Sequence, residues 1–112
     1  MTENETTATR ATAMIHYQTG SIVSRVIVKN QSGSVTLFAF GEGQELSEHT
    51  TPFEALAHVV DGEAEITISG VPHRLAAGDL IVMPARQPHA VKAVKQFMML
   101  LTMIKEPQPA IV

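Results

Sequence analysis

The chain has 112 residues, of which 45% are hydrophobic and 17% are charged, and its formal net charge is −3. This length fits one domain with one sizeable core, and an acidic balance without a long Lys/Arg run argues against a nucleic-acid partner. The chain contains no cysteine, which excludes disulfides, thiolate nucleophiles and thiolate zinc sites.

The N-terminal residues 1–13 are rich in Thr and Glu and contain few large apolar side chains. Because they cannot bury enough surface to offset the entropy lost on ordering, we predict a disordered tail, followed by a single domain over residues 14–112. This segment has neither the basic nor the apolar region of a signal peptide. No apolar run reaches the roughly 18–20 residues of a membrane span, so we expect a cytoplasmic protein with no membrane partner.

After the tail, the sequence predicts short β-strands separated by turn residues. Asp61-Gly62 is typical of a hairpin turn because Gly tolerates positive φ, and in "EAEITIS" apolar and polar residues alternate as they do in a half-buried strand. No segment has the length and caps of a helix of ten or more residues. Short strands without intervening helices therefore predict an all-β antiparallel sandwich or barrel. The predicted strands are "SIVSRVIVK", "SVTLFAF", "FEALAHVV", "EAEITIS", "HRL", "LIVM", "HAVKA" and "QFMMLLTMI".

Two of these strands, "LIVM" and "FMMLLTMI", are apolar on both faces. One face of such a strand fills the core, so the other must also be covered, either by a further layer of the same chain or by a second subunit. In so small a protein we favour the second subunit and predict a homodimer.

The spacing of Gly, His and Pro residues between Gly43 and Ala93 resembles the two motifs of the cupin superfamily. The first motif falls on Gly43, His49, Thr51, Ala55 and Gly62, and the second on Gly78, Pro84, Arg86, His89 and Ala93. The resemblance implies the cupin fold, an antiparallel jelly-roll β-barrel also called a double-stranded β-helix. It also implies a barrel pocket for a small-molecule ligand. That pocket would be lined by His49, Thr51, Ala55, Met83, Arg86 and His89.

Metal-binding cupins use two histidines and a glutamate of the first motif and a histidine of the second. In this chain only His49 and His89 match, because Thr51 and Ala55 stand in place of the second His and the Glu. The resemblance therefore implies a degenerate site that binds one divalent metal weakly, Fe, Mn, Ni or Zn, or none.

Glu54 and His58 are the neighbours that could replace the missing ligands. On a regular strand they point away from the face shared by residues 49, 51 and 55. A bulge at Pro52 would reverse this alternation. His49, His89 and Glu54 would then form a two-His-one-carboxylate site suited to Fe(II), Mn(II) or Ni(II).

Three classes of function fit these residues. The first is small-molecule or metal binding at His49 and His89 without catalysis. The second is a metal-dependent enzyme of the dioxygenase or isomerase type, and the third is a metal-free isomerase or epimerase that uses a pocket His as base. The third class usually needs an acid partner, and the only tyrosine, Tyr17, precedes the first strand. The resemblance fixes no reaction because one barrel serves many chemistries.

Overall fold

Two long strands, β4 and β7, organise the fold. The computed structural model describes residues 6–105, and the described residues form seven antiparallel strands in one continuous hydrogen-bonded array. A 3-10 turn at Ala11–Ala13 precedes them. The strands are β1 (Ile22–Asn30), β2 (Gly33–Phe40), β3 (Glu45–His49), β4 (Glu54–Ile68), β5 (Val71–Ala76), β6 (Leu80–Met83) and β7 (His89–Ile104). The predicted all-β antiparallel class is confirmed.

The β4–β7 pair contributes to two groups of strands. Along one half of its length β7 pairs with β2, β2 pairs with β1, and β4 pairs with β6. Along the other half β7 pairs with β3, and β4 pairs with β5. We call β1, β2, β6 and the adjoining halves of β4 and β7 the first strand group. The second strand group consists of β3, β5 and the other halves of β4 and β7. One cluster of buried side chains draws on both groups, so both contribute to a common core. Its members are Phe40, Ala55, Ala57, Val59, Ala64, Ile66, Leu75, Met83, Val91, Ala93, Phe97 and Met99.

The predicted hairpin at Asp61-Gly62 is wrong, because both residues lie inside β4. The pairing of β4 with β7 is irregular on either side of them, so the position is a bulged point of a continuous strand pair. Gly62 does have positive φ, at 79°. A Cβ there would collide with the Gln96 carbonyl oxygen and lie 2.7 Å from the Phe97 Cα. Glycine is needed here for a close approach of two strands as well as for its backbone angle. Because β7 pairs with β4 along its whole length, "HAVKA" and "QFMMLLTMI" are likewise one strand and not two.

The outer face of the first group is apolar, and the N-terminal segment covers part of it. Ile15 is buried in a second cluster with Leu37, Ala39 and Met98. Tyr17 packs against the same cluster. A layer of the same chain thus covers part of this apolar face, and the rest is left for the predicted second subunit. Other apolar side chains of the chain stay 50% to 60% exposed. They are Val26, Val28, Val71, Leu80, Val82 and Ile104.

The outer face of the second group is charged. Glu45 lies opposite Lys92, Lys92 lies opposite Glu65, and Glu65 lies opposite Arg74. Cross-strand neighbours of opposite charge suit a solvated face. The two outer faces therefore differ in character, and the apolar one is the face that a predicted partner subunit would cover.

The predicted tail, residues 1–13, is described only in part, because residues 1–5 lie outside the described residues. Residues 6–10 are exposed, and Ala11–Ala13 form the 3-10 turn. No helix among the described residues has the length and hydropathy needed to cross a membrane.

Candidate functional site

A bulge in β3 turns His49 toward the core side of the strand. Leu46 pairs with Val91, and the next pair toward the end of β3 is His49 with His89, so three steps on β3 match two on β7. Leu46 and Val91 both contact the core cluster. Without the extra residue, His49 would alternate to the face opposite Leu46. The bulge therefore places His49 beside His89 on the inner side.

The two imidazole rings lie edge to face, with their centroids 4.3 Å apart and an interplanar angle of 66°. His49 Nδ1 is 2.8 Å from the Ser47 carbonyl oxygen, and His89 Nδ1 is 3.2 Å from that of Gln87. Because a carbonyl oxygen can only accept, Nδ1 is the donor in both rings. In each neutral ring Nε2 then carries the free lone pair. Each carbonyl belongs to the residue two positions before the histidine, so the backbone fixes both tautomers alike.

The surroundings of His89 favour the neutral ring. Its side chain is only 6% exposed, and it is the one buried polar or charged residue of the described chain. Burial lowers the pKa of His89, the hydrogen bond to the Gln87 carbonyl opposes this shift, and the charge of nearby His49 adds to the lowering. Burial prevails because an imidazolium loses hydration in an apolar setting. His49, in contrast, is exposed, so the pair joins a buried imidazole to one that solvent reaches.

Two loops around the pair are tied to each other. The Arg86 backbone N–H donates to the Thr51 carbonyl oxygen at 2.7 Å, and the Thr51 hydroxyl donates to the Phe53 carbonyl oxygen at 3.3 Å. Arg86 has φ of 64°, a left-handed conformation that is rare for a residue with a side chain. The loop at Arg86 is thus held against the segment that links His49 to β4.

The remaining residues of the predicted pocket are apolar and buried. Ala55 pairs with Met83 across β4 and β6, and both belong to the core cluster. Ala55 also pairs with Met103 of β7. The methyl of Ala55 therefore occupies the position at which the cupin resemblance expects a carboxylate.

Glu54 and His58 lie on the face of β4 opposite Ala55. The Glu54 carboxylate accepts a 3.1 Å hydrogen bond from the Ala85 backbone N–H. His58 pairs with Leu80 and Leu100. Within residues 6–105, no three His, Cys, Asp or Glu side chains are grouped so that they could hold a metal ion. The structure brings His49 and His89 together and leaves Glu54 on the other side of β4.

Two imidazoles without a carboxylate do not fit a tightly held metal, because sites of that kind in proteins use at least three protein ligands. The same nitrogens do fit the hydrogen-bond donors of an organic ligand. Sequence analysis missed the Ser47 and Gln87 carbonyls that orient the rings. No sequence signal could have identified them, because they are backbone groups whose direction depends on the bulge and the loop.

Comparison with known proteins agrees with the cupin resemblance and with the observed all-β fold. The family model described as a cupin domain matches residues 36–105. A solved structure of a conserved protein of unknown function from Streptococcus pyogenes is 35% identical, with a TM-score of 0.88 over 94% of this chain and 92% of that one. A Cupin 2 conserved barrel domain protein from Leptotrichia buccalis is 36% identical, with a TM-score of 0.80 over 83% of this chain and 45% of that one.

A more distant structure shares the fold alone. This cupin superfamily protein from Desulfitobacterium hafniense is 24% identical, with a TM-score of 0.81 over 84% of this chain and 86% of that one. None of the curated proteins matches the chain.

Proposed function

Since the chain belongs to the cupin domain family, we propose that it binds a small organic molecule at the paired imidazoles of His49 and His89. The observation that carries this proposal is the shared tautomer of the two neighbouring rings. Backbone carbonyls at 2.8 and 3.2 Å hold both Nδ1 atoms, which leaves one Nε2 acceptor on each of two rings whose centroids are 4.3 Å apart.

The chemistry of the pair selects hydrogen-bond donors. The Nε2 atom of a neutral imidazole accepts from a hydroxyl, an amide or an ammonium group of the ligand. The cupin resemblance assigns Ala55 and Met83 to the same pocket, where apolar side chains would supply dispersion contacts. A ligand pocket with a few convergent polar groups in an apolar wall is the usual form of a small-molecule site.

As far as the structure describes the chain, both catalytic alternatives lack a component. The metal-dependent enzyme needs a third protein ligand, and Glu54 is hydrogen-bonded to the Ala85 backbone on the other face of β4. The metal-free epimerase needs an acid partner, and the Tyr17 hydroxyl donates to Asp61 at 2.6 Å, away from the imidazole pair. The buried, neutral His89 keeps the capacity of a base. A reaction that used this base would therefore take place at the same site.

An NMR titration tests the proposal. The protein is exposed to a library of small sugars, amino acids, amides and organic acids, and the imidazole signals of its five histidines are followed. We expect at least one compound to shift the His49 and His89 signals together and to bind more weakly to His49→Ala. His16→Ala, which removes an exposed imidazole elsewhere, is the matched control. Hits that bind His49→Ala with unchanged affinity would overturn the proposal.

A further inference from the structure

A cavity of about 340 Å³ lies at the end of the first strand group, between β1, β2 and the end of β7. Apolar side chains of Val26, Phe53 and Met103 form part of its wall. Its lining residues with polar side chains are Ser34, Thr36, Lys29 and Lys105. Among the described residues that line it, none is acidic. The cavity is therefore a cationic recess with an apolar wall.

A bulge in β1 gives Lys29 its place there. Val26 pairs with Thr36 and Val28 pairs with Val35, so Ile27 is an extra residue. Regular alternation from Val26 would place Val28 on the inner face and Lys29 on the outer one. The inserted residue reverses this order, and Lys29 pairs with Ser34 on the inner face.

Lys105 reaches the cavity from the other side of β2. It follows β7, where the inner positions Leu101 and Met103 pack against the core cluster, and two residues further along the same alternation lead to Lys105. Its backbone N–H donates to the Ser32 carbonyl oxygen at 2.9 Å. Because β2 lies between β1 and β7, the two lysines flank it. In the part of the chain that the structure describes, neither ammonium has a carboxylate partner.

Two ammonium groups that have no carboxylate partner among residues 6–105, together with two hydroxyls, attract an anion, since like charges gathered in one recess gain most from a bound negative group. We propose that this cavity is an anion subsite that takes the carboxylate or phosphate of a small molecule, with Val26, Phe53 and Met103 against its carbon skeleton. Lysine acts as a point charge that suits either anion.

The segment from His49 to Phe53 connects the imidazole pair with the cavity, which Phe53 and Met103 help to line. Phe53 ends the segment that begins at His49, and Thr51 is hydrogen-bonded to it. Met103 pairs with Ser34 on one side and with Ala55 on the other. This inference rests on the proposed function, which supplies the ligand. The hydrogen-bond donors of that ligand would lie on the imidazoles, and its anionic group would lie between the lysines.

The test uses two small probes and one neutral isostere. Succinate, inorganic phosphate and succinamide are titrated into the full-length protein, and backbone amide signals are followed by NMR. We expect succinate or phosphate to bind with millimolar affinity and to shift Ser34, Thr36 and Met103, and succinamide to shift them far less. A stronger response to succinate assigns the subsite to a carboxylate, and a stronger response to phosphate assigns it to a phosphate ester.

Two variants locate the binding. Lys29→Gln and Lys105→Gln should each weaken the anion about two- to fivefold, and together they should abolish its effect. Lys92→Gln, on the charged outer face of the second group, is the matched control. Equal responses to succinate and succinamide, or anion binding that survives the double substitution, would overturn the inference. Anion binding that persists while no compound shifts His49 or His89 would contradict the proposed function and leave the subsite standing.

Discussion

The Tyr17 hydroxyl donates a 2.6 Å hydrogen bond to the Asp61 carboxylate and so ties the N-terminal segment to the bulged region of β4. Tyr17→Phe removes the donor and keeps the ring that packs on the outer cluster. A hydrogen bond to a charged group contributes about 1.5–3 kcal/mol, and partial exposure places this one at the lower end. We expect the free energy of unfolding to fall by about 1–2 kcal/mol in urea denaturation. His16→Ala, at an exposed neighbour, is the control and should change it by less than about 0.5 kcal/mol.

The same bond predicts a pH dependence. Burial first, and then the hydrogen bond and the negative charge of Asp61, raise the pKa of Tyr17 above its ordinary 10.0. A pKa that is higher in the folded state gives a contribution that is complete below pH 10 and is lost as the pH rises beyond it. Stability of the wild type should therefore fall above pH 10 more steeply than that of Tyr17→Phe. Parallel profiles would show that Tyr17 ionises as readily in the fold as outside it.

Truncations separate the exposed N-terminal residues from the packed ones. Deletion of residues 1–10 should leave the melting temperature nearly unchanged, because residues 6–10 are exposed. Deletion of residues 1–17 also removes Ile15 and Tyr17 and uncovers Leu37 and Met98. Loss of these contacts should lower the melting temperature by several degrees or more. Calorimetry of the two truncations measures this, and an equal loss in both would mean that the first ten residues are also docked.

The apolar outer face of the first group predicts a homodimer. Light scattering at micromolar concentration should give about twice the mass of one chain. The reason is that four apolar side chains of that face are 50% to 60% exposed in one subunit, namely Val28, Leu80, Val82 and Ile104. Val82→Lys should shift the equilibrium toward the monomer. Thr67→Lys, on the charged outer face of the second group, should not. A wild type that is strictly monomeric would contradict the prediction.

Two glycines with positive φ should respond differently to alanine. Gly62 has φ of 79° and Gly78 has φ of 96°, so both substitutions strain the backbone by about 1 kcal/mol. At Gly78 a Cβ meets nothing within 4 Å, whereas at Gly62 it collides with the Gln96 carbonyl oxygen. Gly62→Ala should therefore cost clearly more than Gly78→Ala in denaturation, and Gly62→Val at least about 1–3 kcal/mol. Similar costs at both positions would show that β7 shifts easily at Gln96.

Metal affinity should depend on the two positions where the chain departs from the cupin ligand set. We expect calorimetric titration of the wild type with Zn(II), Ni(II) or Mn(II) to show weak binding, because His49 and His89 alone leave most coordination positions to water. Thr51→His with Ala55→Glu should raise the affinity by orders of magnitude, and a further His49→Ala should abolish the gain. Tight binding by the wild type would mean that Glu54 leaves the Ala85 backbone on metal binding.

Sequence analysis located most of the strands but missed β3, and it predicted the connections between strands less well. Alternation and turn residues located β1, β2 and β6 because these signals are local. Asp61-Gly62 was misread because a bulge and a hairpin turn both favour a glycine at positive φ, and only the partner strand distinguishes them. Whether a strand continues or reverses is decided by long-range pairing.

The imidazole pair was predictable from motif spacing, whereas its surroundings were not. The strand faces of His49 and Lys29 depend on one extra residue in β3 and in β1. A bulge appears only when two strands are set in register, so counting along one strand assigns such residues to the wrong face. This is why Lys29 and its cavity could not be inferred from the sequence.

The continuous β4–β7 pair also sets the order in which the chain can fold. Its pairs are nested, from Ile68 with His89 at the inner end to Glu54 with Ile104 at the outer end. The inner end closes the shortest loop and so loses the least chain entropy, and pairing can then zip outward one residue at a time. We therefore expect His89 to reach its place early in folding. The lysine cavity requires the far end of β7 to pair with the β1–β2 hairpin, so we expect it to be one of the last parts of the molecule to form.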